Sequence, residues 1–102
     1  MDPRRDQLND AVRSHPGLIV LFFHADWYGP CRSLASVLEE IKLEPEGVLF
    51  ANIDIDSEIA LAMDFNITEI PSLVFLSRGA AVLKMCGMRT KEEILGQIER
   101  WK

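Results

Sequence analysis

Cysteine has the widest chemical reach of the side chains in this sequence, and only two are present, Cys31 and Cys86. A thiolate attacks disulfides and binds metals, and its reactivity follows exposure and nearby positive charge. Cys31 closes the stretch Phe23-His24-Ala25-Asp26-Trp27-Tyr28-Gly29-Pro30-Cys31, where an apolar strand pattern gives way to a helical one. Cys86 precedes Gly87 at the end of a later strand pattern. The two histidines, His15 and His24, make no metal-ligand cluster with either cysteine, so no metal and no cofactor is expected. His24 has no nucleophile beside it in the chain and reads as a packed residue at a strand end. Asp54, Asp56 and Glu58 lack the glycine and the spacing of a calcium loop and read as a solvated strand end.

The elements that must position these groups are legible from periodicity. Asp2 to His15 reads as a helix, with Pro3 at its first position and Pro16-Gly17 after it. Leu18 to Phe23 is a continuous apolar run of strand length, as in a central strand buried on both faces. A helix is predicted from Pro30 to Leu43, with Leu34, Val37, Leu38 and Ile41 on one face; Pro45-Glu46-Gly47 ends it. Val48 to Ile55 reads as a strand, and Ser57 to Phe65 as a short helix capped by Ser57. Leu73–Leu76 and Ala81–Met85 flank Arg78-Gly79, a hairpin signal. Thr90 with Glu93 three positions on forms a capping box for a last helix through Trp101. The order α-β-α-β-α-β-β-α predicts an α/β fold: one mixed sheet flanked by helices, parallel across the helical crossovers and closed by a hairpin.

Bulk properties narrow the function. With 102 residues, 48% of them hydrophobic, the chain suits one compact domain spanning 1–102. The net charge of −5 and the scatter of the basic residues exclude nucleic acid as a partner. No apolar run approaches the ~20 residues that span a bilayer, and Met-Asp-Pro-Arg-Arg-Asp has no apolar signal core, so no membrane association is expected. Two cysteines are too few for a disulfide-stapled secreted scaffold, which leaves a cytoplasmic domain as the expectation.

Trp27-Tyr28-Gly29-Pro30-Cys31 resembles the thioredoxin motif Trp-Cys-Gly-Pro-Cys at every position but the first cysteine, where Tyr28 stands. Ile70-Pro71-Ser72 lies just before the hairpin, where thioredoxins place a cis-proline facing the motif. Cys86-Gly87 matches the family's substrate-groove glycine. The three landmarks keep the family's order and spacing along nearly the whole chain, so the resemblance implies the thioredoxin fold. The family's short first strand is missing from the residues before Gln7. Its absence would leave the Val48–Ile55 edge open to pairing with a second copy, in a weak homodimer, unless Asp54 and Asp56 keep the chain a monomer.

The resemblance also implies what Tyr28 removes. The family's first cysteine attacks as a thiolate at a helix N-terminus, and its second, three residues on, resolves the mixed disulfide. A phenol forms no disulfide. Cys31 sits at the resolving position, and the family's buried aspartate and its lysine partner correspond to Phe22 and Asn52. The expectation is a thioredoxin-like protein with impaired or absent dithiol turnover. It would bind a protein or peptide partner in the substrate groove through Trp27, Tyr28, Gly29, Pro30, Ile70, Pro71, Cys86 and Gly87, with the Trp27 and Tyr28 rings, Ile70, Pro71 and Gly87 forming an exposed apolar patch. The alternative is a thiol–disulfide oxidoreductase working through Cys31 as its sole catalytic residue. A Cys31–Cys86 disulfide is a further alternative, since the family fold brings the two positions near each other.

Overall fold

The computed structural model describes residues 15–102. The helix expected over Asp2–His15 and the question of a strand before it fall outside the described residues, except that His15 itself lies in the loop ahead of the first strand. From there the elements are β1 (Leu18–His24), α1 (Gly29–Ile41), β2 (Leu49–Asp54), α2 (Ile59–Asp64), β3 (Ser72–Ser77), β4 (Ala80–Cys86) and α3 (Lys91–Trp101). Among the described residues the strands form one mixed sheet in the order β2-β1-β3-β4.

The unbroken apolar run of β1 is explained by two packed faces. Leu18, Val20 and Phe22 face a core closed by Cys31, Leu34, Leu38 and Ile41 of α1 and Ile94 and Ile98 of α3. Ile19, Leu21 and Phe23 face the opposite core, which Leu61 of α2 helps to fill. Each such aliphatic or aromatic side chain contributes about 1.5–3 kcal/mol by leaving water. The alternation of two therefore carries apolar residues on both sides.

The strand directions differ in one respect from the parallel crossovers expected. β2 runs parallel to β1, with Phe22 opposite Asn52 and His24 opposite Asp54. β3 runs antiparallel to β1, with Phe23 opposite Ser72. The six residues of α2 rise only about 9 Å, whereas β2 is about 20 Å long. The helix cannot carry the chain back along the strands, so β3 starts at the end where β2 stops. That end is also where β1 meets α1, and the topology thus delivers Pro71 to the motif.

Local signals account for the boundaries. Arg78 (φ 52°) and Gly79 (φ 83°) both take left-handed conformations, as a two-residue hairpin turn requires, and Ser77 pairs with Ala80 across it. The register shifts at Phe75/Leu76, so that Val82 bulges from β4. The Thr90 capping box is present, with Glu93 N–H donating to Thr90 Oγ1 (3.1 Å) and Thr90 N–H to Glu93 Oε1 (3.2 Å). The backbone and side-chain hydrogen bonds from Thr90 hold the Glu93 carboxyl below its usual range. The Lys91 ammonium at the start of α3 lies 3.2 Å from Glu44 in the loop after α1, which raises its pKa.

The start of α2 corrects the Ser57 cap. The helix begins at Ile59 with Glu58 at its N-cap and no side-chain cap bond. The Asp54 carbonyl accepts from Ser57 N–H (3.2 Å) and Glu58 N–H (2.8 Å), so residues 54–58 form a turn and the helix opens one residue later than a Ser57 cap would place it. Glu58 is buried rather than part of a solvated strand end. No helix among the described residues is long and apolar enough to cross a membrane.

Candidate functional site

The site forms where β1 ends and α1 begins. Tyr28 is the N-cap of α1, in an extended conformation and without a side-chain cap bond, and Pro30 occupies the first turn. Proline is tolerated there because first-turn N–H groups have no helical partner. The backbone turns tightly, with Tyr28 N–H donating to Ala25 O (3.2 Å) and Cys31 N–H to Tyr28 O (3.1 Å). The turn leaves Tyr28 39% and Trp27 67% exposed, while Cys31, one helical turn in, is 2% exposed. The phenol therefore stands at the surface where an attacking thiolate would have to be, and the thiol is packed into the α1–α3 core.

Asp56 gives Trp27 a fixed place, a role that its sequence context did not suggest. The indole Nε1–H donates to Asp56 Oδ2 at 2.9 Å, and Asp56 N–H donates to Asp54 Oδ1 at 2.9 Å. Asp56, itself braced by Asp54 at the end of β2, thus anchors the motif tip. Trp27 and Tyr28 contact each other with ring centroids 5.8 Å apart at 57°, a tilted pair of the kind aromatic quadrupoles favour.

The second side of the site comes from β3 and β4. The Ile70–Pro71 peptide bond is cis. The Pro71 carbonyl accepts from Gly87 N–H at 2.8 Å, and Ser72 pairs with Cys86, which ties the proline turn to the end of β4. Gly87 has φ 81°, a left-handed conformation that excludes most side chains. Arg89 donates to the Cys86 carbonyl at 3.2 Å.

The predicted residues share one end of the sheet, but they do not form a continuous exposed patch. Pro71 and Cys31 are buried, and Ile70, Cys86 and Gly87 are only partly exposed. The exposed apolar surface is Trp27 and Tyr28, and Met88 follows Gly87 with 50% exposure. Met88 was missed because a lone methionine after a glycine carries no periodic signal. Cys31 and Cys86 are free thiols, not a disulfide. Among the described residues no group of three or more His, Cys, Asp or Glu side chains converges as for a metal ion.

Beneath the motif, Phe22 is 4% exposed and faces the exposed Asn52 across the β1–β2 register. Phe22 also stacks on His24, with centroids 5.1 Å apart at 29°. A cleft of about 180 Å³ opens here and reaches the Cys31 side of the motif, lined by Phe22, His24, Asp26, Cys31, Arg32 and Asn52. Its one carboxylate, Asp26, is 87% exposed rather than buried.

Comparisons with known proteins agree with this geometry. Residues 3–100 match the thioredoxin family model. Thioredoxin of Chlamydia caviae is 32% identical over 84 residues, covering 82% of each chain. Thioredoxin H8 of Arabidopsis thaliana is 35% identical over 92 residues, 90% of this chain, and this chain spans only 62% of that protein. Among solved structures, a point-mutant thioredoxin from Halobacterium salinarum superimposes with a TM-score of 0.88 at 28% identity, covering 94% of this chain and 83% of that one. A thioredoxin from Nicotiana alata also gives 0.88, at 27% identity, covering 99% and 88%. Motif, sheet order and relatives converge: the chain belongs to the thioredoxin family.

Proposed function

We propose that this protein is a thioredoxin-like binding module without efficient dithiol–disulfide turnover. One observation carries the reading: a phenol occupies the surface position at the N-cap of α1 while Cys31, 2% exposed, lies beneath it. Thiol–disulfide exchange starts with an accessible thiolate, and the exposed end of this motif offers none. What it offers instead is a hydrogen-bonded Trp27 beside Tyr28, and aromatic residues of this kind are enriched at interaction hot spots. Next to them, Glu69-Ile70-Pro71 presents backbone groups to which an extended peptide can add as a strand. The partner is therefore a protein or peptide segment with apolar side chains, held by Trp27, Tyr28, Gly29, Pro30 and the Ile70, Pro71, Cys86 and Gly87 groove. The scarcity of cysteine fits a reducing compartment such as the cytoplasm.

A second reading keeps the family's redox chemistry in the form of a single-thiol oxidoreductase. The cleft that reaches Cys31 is the observation in its favour. Affinity capture separates the two. On the binding reading, a partner retained by the native protein is retained equally by Cys31→Ser and in the presence of reductant, and is lost with Trp27→Ala. Retention that vanishes with Cys31→Ser or with reductant would mean a mixed disulfide and would overturn it.

A further inference from the structure

Along the chain His24 has no nucleophile to serve, but the fold supplies one: His24 and Cys31 line the same cleft from different elements, β1 and α1. The His24 ring is oriented from two sides. Phe22 stacks on it, and its Nδ1 lies 3.4 Å from Asp26 Oδ1. A carboxylate beside Nδ1 favours the tautomer with its proton on that nitrogen, which leaves Nε2 to accept one.

We infer that His24, held by Asp26, accepts the proton of the Cys31 thiol across this cleft. Where the resemblance implies a buried aspartate, Phe22 cannot take a proton, and His24 carries the imidazole that lines the same cleft. The cleft, at about 180 Å³, is large enough for water to bridge thiol and ring. The other polar and charged groups around the ring are Arg32 from α1, and Asn52 and Asp54 from β2; Asp54 stands beside His24 in register. With an alkylating reagent, the Cys31 S–H proton passes to the imidazole, the freed sulfur lone pair forms a bond to carbon, and the halide leaves.

The transfer does not depend on whether a partner docks on the motif tip, and its test does not involve that partner. In a Cys86→Ser background Cys31 is the sole thiol, and iodoacetamide, a small neutral probe, reports its ionisation by mass spectrometry. His24→Gln is expected to slow alkylation roughly tenfold at about pH 7, a modest share of what a positioned base contributes. At about pH 10, where hydroxide ionises thiols without help, the two rates should agree within about twofold. Asp26→Asn, a change at a largely exposed side chain, should slow the reaction in the same pH-dependent way by about two- to threefold. A rate ratio that is flat with pH, or no slowing at about pH 7, would overturn the inference. Should His24→Gln lose its near-ultraviolet circular dichroism, the pH profile of Asp26→Asn decides alone.

Discussion

Replacing Phe22 by aspartate tests the expectation that core packing stands where the resemblance implies a buried acid. Phe22 is 4% exposed and belongs to the core shared by α1 and α3. Removing a buried phenylalanine costs about 3–5 kcal/mol, against a total of about 5–15 kcal/mol for a domain of this size. At about 4–8 °C per kcal/mol, Phe22→Asp should lower Tm by roughly 12–40 °C at about pH 7. The new carboxylate would be buried in the protein and solvated in the unfolded chain, so its folded pKa would lie above the unfolded value of about 4. The folded state then binds more protons, and stability falls as pH rises. The deficit relative to wild type should therefore be smallest near about pH 4 and should widen towards about pH 7. Asn52→Lys, added across the Phe22–Asn52 register, should recover only about 1 kcal/mol, because position 52 is exposed and solvent screens the pair. Thermal melts of the single and double variants across pH measure all of this. A Phe22→Asp protein within about 1 kcal/mol of wild type at about pH 7 would refute the claim that packing has taken the acid's place.

The remaining expectations are local. A Cβ on Gly17 would lie 2.7 Å from the Gly47 carbonyl oxygen, so Gly17→Ala should cost about 1–3 kcal/mol by urea unfolding. No loss would mean that the two loops separate freely. Glu93 has a depressed carboxyl pKa, so the stability it contributes is present above its ordinary value and is lost as pH falls through the folded one. The urea midpoint should fall more steeply on acidification for wild type than for Glu93→Gln, and identical slopes would contradict the capping-box account. Asp56→Ala removes the acceptor for Trp27 at an exposed site, so stability should change by less than about 1 kcal/mol. The fluorescence anisotropy of Trp27, read in a Trp101→Phe background, should drop; unchanged anisotropy would mean that the bond does not hold the ring.

The sequence carried the element order over the described residues because each signal was a strong local one. The apolar run at Leu18–Phe23, the Arg78-Gly79 turn and the Thr90–Glu93 box each have a single good structural solution. Strand direction was less legible. The helix read at Ser57–Phe65 was already too short to return the chain along a strand, and the parallel expectation came from applying the crossover rule without regard to that length. The tip residues were identified, but not their exposure, because burial of Pro71 depends on the distant Gly87 and β4. Asp56 read as solvated because its partner, Trp27, comes from an element that only the tertiary fold brings near, whereas His24 is the packed strand-end residue expected, stacked on Phe22.

The position of Tyr28 is tested most directly by reduction of insulin with dithiothreitol as electron source. Precipitation should be no faster with the protein than with dithiothreitol alone. Acceleration over many turnovers that disappears in Cys31→Ser would contradict a motif tip built to bind rather than to exchange disulfides.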